Sequence, residues 1–212
     1  MAWGLCCSLT LGACATPGFV PDATTKVQPP SVRDDDPNDV FMRAPWELWK
    51  VPNGRARYHR GTHLLLRDEY ESFRVGDISI YARDGSDVRL DYTSVDLGAG
   101  SQSRATVSVF VYRAPGNLDE EWQSVTERMR RRWPGASPTE PFPVPPRHPP
   151  DTRQMAVIAP PSGGGTQPRF VQTTLFHSGG WAARYEITCA AEDVDVARKK
   201  VGAFLRDIRY RE

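Results

Sequence analysis

Lysine is scarce in this 212-residue chain: only 4 of its 27 basic residues are lysine, the rest arginine. An arginine excess of this kind tracks base composition, so no function is read from it. The net charge is +1, which excludes bulk electrostatic capture of nucleic acid. No apolar run reaches the roughly 20 residues that a spanning helix needs. Cysteine is confined to Cys6, Cys7, Cys14 and Cys189, so a chain starting at Cys14 with that thiol blocked has no internal disulfide. No Gly-x-Ser-x-Gly elbow occurs. Gly163-Gly164-Gly165 lacks the Lys and Ser/Thr of a phosphate loop, and Gly98-Ala99-Gly100 is followed by a strand pattern rather than a helix. No solenoid or propeller period is present.

What is present is clearest from Arg169 to Tyr210. Trp181, Ala183, Tyr185, Ile187 and Cys189 alternate with Ala182, Arg184, Glu186 and Thr188, the mark of a half-buried strand. Phe170 to His177 is a second β-rich run, and Ser178-Gly179-Gly180 between them predicts a hairpin. The period then turns helical, with Val194, Ala197, Val201, Phe204, Leu205 and Ile208 on one stripe. Glu192, Asp193 and Asp195 open that helix, and Arg206, Arg209 and Arg211 are expected to close it, each suited to its end of the macrodipole.

Ala2 to Leu11 is apolar or small throughout and ends in Leu11-Gly12-Ala13-Cys14, a small-residue cleavage pattern directly before a cysteine. This resembles a bacterial lipoprotein signal. The resemblance implies removal of residues 1–13, acylation of Cys14 on its sulfur and amino nitrogen, and anchoring in the cell envelope. No basic residue precedes Lys26, a departure from the basic stretch of such signals that points to a start further upstream. Ala15 lacks the aspartate associated with inner-membrane retention in that class, which implies an outer-membrane protein facing the periplasm.

Residues 14–44 are rich in Pro, Asp, Thr and Ser and predict a flexible tether, spanning roughly 30 Å. Asp34-Asp35-Asp36 within it reads as solvated charge rather than a metal site. Pro45, Trp46, Leu48 and Trp49 mark the start of folded structure in a short helix or turn, and Asn53-Gly54 a reversal. A single domain is expected over 45–212. Thr62 to Arg67 suggests a strand and Asp68 to Arg74 a loop. Ile78 to Arg83 and Val88 to Thr93 alternate about Asp84-Gly85, a strong hairpin signal, and Ala105, Val107, Val109 and Val111 share one face of a third strand. Asn117 and Glu120 form a capping box before the stripe Leu118, Trp122, Val125, Met129 and Trp133, which Pro134-Gly135 stops. Residues 137–150 hold seven prolines and predict an extended connecting loop, and Gln154 to Ala159 a short strand.

The order is therefore strand, strand, strand, helix, strand, strand, strand, helix. It predicts an α+β domain: a mainly antiparallel twisted sheet of about six strands with two packed helices. Over Phe73 to Tyr210 this order is similar to that of the PsbP-like fold group. The resemblance implies a twisted sheet between helices and an assembly or binding role, with no functional residues to carry over.

Chemistry-bearing groups are few. His59 and His63 have a spacing that would suit zinc on a helix, but Gly61 lies between them and a strand pattern follows, where they would stand roughly 13 Å apart. His177 beside the Gly-rich turn could serve as a base, with exposed loop-edge histidine the plainer reading. Cys189 on the apolar strand face reads as a small core residue. Arg128, Arg130, Arg131 and Arg132 form the one dense basic patch: either a solvated helix end or a contact for anionic headgroups or cell-wall polymer. No cofactor or metal is expected. Together these features predict a lipid-anchored envelope protein, a non-catalytic binding or accessory module, with an envelope protein or the cell wall as partner. The alternatives are a small hydrolase or transferase and a structural module that interacts with the wall.

Overall fold

The computed structural model describes residues 48–210 apart from 53–54, 96, 98–103, 115, 145–147, 150 and 162–165. Cys14, the tether, Asp34 to Asp36, Trp46, the Asn53-Gly54 reversal, Gly98 to Gly100 and Gly163 to Gly165 lie outside the described residues. The strands are β1 (Trp49–Lys50), β2 (Ala56–His59), β3 (Leu64–Arg67), β4 (Glu69–Tyr70), β5 (Phe73–Ile80), β6 (Asp87–Ser94), β7 (Thr106–Arg113), β8 (Ser137–Thr139), β9 (Thr152–Ala159), β10 (Arg169–Ser178), β11 (Trp181–Ala190) and β12 (Arg209–Tyr210). The helices are α1 (Leu118–Arg132) and α2 (Val194–Asp207), the latter entered by a 3-10 turn at Ala191–Asp193.

An antiparallel sheet of eight strands runs in the order β4-β5-β6-β7-β11-β10-β9-β8, and a second sheet of four in the order β1-β2-β3-β12. The long elements follow the expected order, β5, β6, β7, α1, β9, β10, β11, α2. About six strands was too few. The missed strands are two to four residues long, too short for an alternation to register, and β12 pairs with β3 across most of the chain, Tyr210 opposite Leu64. Three local expectations change with them. Asp68 to Arg74 is not a loop, because it contains β4 and the first residues of β5. Residues 137–150 are not all connector, because Ser137 to Thr139 pair with β9 at the sheet edge, where Pro138 is tolerated. Arg209 does not close α2: the chain leaves the helix at Ile208 (φ −66°, ψ 127°) and enters β12.

The closing hairpin is as predicted, with Ser178 opposite Trp181 and two left-handed glycines, Gly179 (φ 56°) and Gly180 (φ 80°), between them. The Asp84-Gly85 turn likewise joins β5 to β6, with Gly85 at φ 73°. One face of the large sheet, carrying Val88, Leu90, Tyr92, Val107, Val109, Val111, Phe170, Phe176, Tyr185 and Ile187, is buried with α2 and residues of the small sheet in one core. Phe204 of α2 sits inside an aromatic cage, with ring centroids 4.6 Å from Tyr70, 5.0 Å from Phe73 and 5.1 Å from Tyr92. The other face is covered by α1, and only in part. Val125 packs with Leu175 and Ala182, and Met129 with Val157, Ala159 and Val171, so the helix lies over β9, β10 and β11. The capping box forms as read: the Asn117 side chain accepts from the Glu120 amide at 2.9 Å.

Candidate functional site

α1 lies over β9 to β11 and reaches β7 at Tyr112, and among the described residues no helix lies over the rest of that face of β5, β6 and β7, where the alternation places Arg89, Asp91, Ser108, Phe110 and Tyr112. A period of 2 with one face in the core turns these residues to the other face. Its centre is Phe110. The register sets Phe110 between Arg89 of β6 and Arg184 of β11. The guanidinium carbon of Arg184 is 4.0 Å from the ring centroid and that of Arg89 is 5.3 Å away, so one phenyl ring carries two cations.

The two arginines differ in what else they hold. Arg89 donates from Nε to Asp91 at 2.8 Å and from Nη2 to Ser108 at 3.3 Å, and Ser108 itself donates to Asp91 at 2.5 Å. Burial pulls the Arg89 pKa down, but Asp91 and a hydrogen bond to Tyr81 outweigh it and the net shift is upward. Arg184 makes no ion pair or hydrogen bond among the described residues, and its Nε is buried without a partner. Burial lowers its pKa.

The rim toward α1 is built from the helix flank. Tyr112 donates to Glu121 at 2.6 Å, Arg128 reaches the same carboxylate at 3.4 Å, and Arg132 pairs with Glu186 at 3.0 Å. Burial first, then the Glu121 bond, raises the Tyr112 pKa. Asp87, at the start of β6, is pushed up by burial and drawn back by the charge of Arg184.

The four arginines of the predicted basic patch are all exposed. Arg128 meets Glu121 of its own helix, and Arg132 reaches Glu186 of β11. Arg131 lies 4.0 Å from Glu127 on the helix surface, and Arg130 is exposed. Which acid each arginine meets is not visible along the sequence, because residues 128, 130, 131 and 132 point in different directions around a helix. The residues that reasoning missed are Arg184 and Phe110. Arg184 was visible as a charged residue on the face of β11 opposite the core, but its partnerless state depends on cross-strand neighbours.

The histidines are held by structure. His59 is fully buried between Trp49 and Trp181, with ring centroids 4.7 and 4.4 Å away. Its Nδ1 accepts from the Thr62 amide at 3.1 Å, so in the neutral ring Nε2 carries the proton. His63 (φ 57°) sits in the turn, with Nδ1 3.0 Å from the Tyr58 hydroxyl. The pair is split between core and surface, and no group of metal-ligating residues occurs among the described residues. His177 donates from Nε2 to the Ala114 carbonyl at 3.0 Å and is half-buried, not an exposed edge residue. Cys189 is buried in the core, where burial first, then Asp193, raises its pKa to about 12, so its thiol stays protonated at neutral pH.

Comparisons of the chain with models of protein families, with curated proteins and with solved structures found no match in any of the three.

Proposed function

We propose that this chain is a lipid-anchored cell-envelope protein facing the periplasm, at the outer membrane, whose α+β domain is a non-catalytic binding or accessory module. The observation that carries the reading is a pairing of two features. The sequence holds Leu11-Gly12-Ala13-Cys14 ahead of a Pro- and Asp-rich tether, and among the described residues of the domain beyond it no helix lies over most of the β5 to β7 half of one sheet face, which is lined by arginine and aromatic side chains. Such side chains are favoured where proteins meet partners. The proposed acyl chains on Cys14 would provide the membrane attachment, since no helix of the described residues is long and apolar enough to span a bilayer. The PsbP-like resemblance of the element order agrees with an accessory role.

Metabolic labelling tests the anchor: palmitate should enter the wild-type chain and be lost on Cys14→Ala, and labelling that survives the substitution refutes it. The enzymatic alternative rests on His177. Its bond to a backbone carbonyl, with no carboxylate hydrogen-bonded to it among the described residues, favours binding over general-base chemistry. Turnover of an ester or glycoside substrate that disappears in His177→Ala would reverse that preference.

A further inference from the structure

Around Phe110 three carboxylates and three guanidiniums are matched in ion pairs, which leaves the Arg184 guanidinium and the Asp87 carboxylate outside them. Asp91 is held by Arg89 at 2.8 Å, Glu186 by Arg132 at 3.0 Å and Glu121 by Arg128 at 3.4 Å. Arg184 lies among these pairs and has none. Asp87 feels its charge but forms no ion pair with it. One of its five donors, Nε, is buried without an acceptor, an arrangement that costs stability until an acceptor is supplied. Its position over the Phe110 ring at 4.0 Å limits where the fork can turn. Its neighbours on this face of β11 are Ala182, buried with Val125 of α1, and Glu186, which is paired with Arg132.

We propose that Arg184, seated over Phe110 on the large sheet and flanked by Arg128, binds an oxyanion, a carboxylate or a phosphate, through its guanidinium fork. An anion at that point would meet Arg184 as its main donor. It would also relieve the repulsion between Arg184 and Arg128, whose 3.4 Å contact with Glu121 is the longest of the three ion pairs above. This deepens the binding reading by naming the ligand chemistry of the open face. It does not depend on the lipid anchor.

The test is an NMR titration of the arginine Nε–Hε resonances of the full chain at constant ionic strength, with inorganic phosphate in one series, acetate in a second and chloride as reference. The Arg184 resonance, assigned by its loss in Arg184→Lys, should shift saturably with phosphate, acetate or both, while that of exposed Arg130 follows chloride. Saturation by phosphate alone assigns a phosphate ligand, and by acetate alone a carboxylate. Arg184→Lys keeps the charge but not the fork, so the backbone amide shifts of β7 and β11 should then report binding weakened about 10-fold or more. Arg128→Gln, a surface change that leaves the fold intact, should weaken it by a smaller factor. An Arg184 response no different from that in chloride overturns the proposal, as does undiminished binding in Arg184→Lys. Because no membrane or partner enters the titration, a negative result leaves the anchored-module reading to the labelling test, and a failed labelling test leaves the anion site standing.

Discussion

The side-chain amide of Gln172 takes both backbone groups of Phe142: Oε1 accepts from the Phe142 N–H at 2.5 Å, and Nε2 donates to its carbonyl at 3.3 Å. Gln172 thus stands in for a neighbouring strand, where the prolines around Phe142 cannot form a ladder of their own. It lies in the middle of β10 and is fully buried, with its amide also donating to Thr174 at 3.1 Å. The bonds hold the Phe142 ring 4.5 Å from Phe170, while Arg198 of α2 covers the outer side at 5.1 Å. A segment with the composition of a free linker is in this way fastened to the core.

Gln172→Ala leaves the Phe142 N–H and C=O buried without partners, at about 1–3 kcal/mol each. Urea unfolding should show a loss of roughly 2–5 kcal/mol, with limited proteolysis first cutting the chain around residues 140–150. Unchanged stability would mean that water replaces the amide there.

His59 makes stability depend on pH. Burial first, then the charges of Arg113 and His63, lowers its pKa from 6.5 to about 3. The folded value lies below the unfolded one, so between those limits the unfolded chain binds a proton that the folded chain does not. This group therefore contributes no pH dependence above about pH 6.5. Below that it costs stability as the pH falls, by at most about 1.4 kcal/mol per pH unit. His59→Gln should show a shallower decline between pH 6 and 4.5 in paired urea titrations, and an equal decline would assign the effect to other groups.

Gly61 has no room for a side chain, since a Cβ there would stand 2.5 Å from two atoms of the Trp181 indole. Gly61→Ala has to push the indole off His59 and should cost about 1–3 kcal/mol. The matched change Gly76→Ala, whose nearest neighbour is the Asp91 carbonyl at 3.9 Å, should alter stability by less than about 1 kcal/mol. Comparable losses in thermal melts of the two variants would remove the packing argument.

Phe204→Ala empties the aromatic cage of α2 and should destabilise the protein by about 3–5 kcal/mol. The same change at exposed Val196 should be nearly silent, and hydrogen exchange along Val194 to Asp207 should quicken only in the Phe204 variant.

The long elements were legible because each carries its own periodic signal. The β11 alternation runs the length of the strand, the α2 stripe covers four turns, and Asp84-Gly85 and Gly179-Gly180 supply the left-handed turns that their hairpins need. The small sheet was not legible for the opposite reason. β1 and β12 have two residues each, too few to show a period, and the partners of β12, Leu65 and Leu64, are distant along the chain. The burial of Gln172 and Arg57 has no signal in the sequence, because it depends on Phe142 and Asp68, which supply their partners.

Sequence alone determined which residues turn inward along each long strand and helix, since a period of 2 or 3.6 is a property of the local backbone. It also set the capping box of α1 and the conformations of the two tight hairpins. Only the tertiary structure decided that α1 lies over β9 to β11 while no described helix lies over β5 and β6, and that Arg184 lies over Phe110 while every nearby carboxylate but Asp87 is held by another arginine. Coverage and charge pairing depend on which distant elements become neighbours, and that information is spread over the whole chain rather than written at any one position.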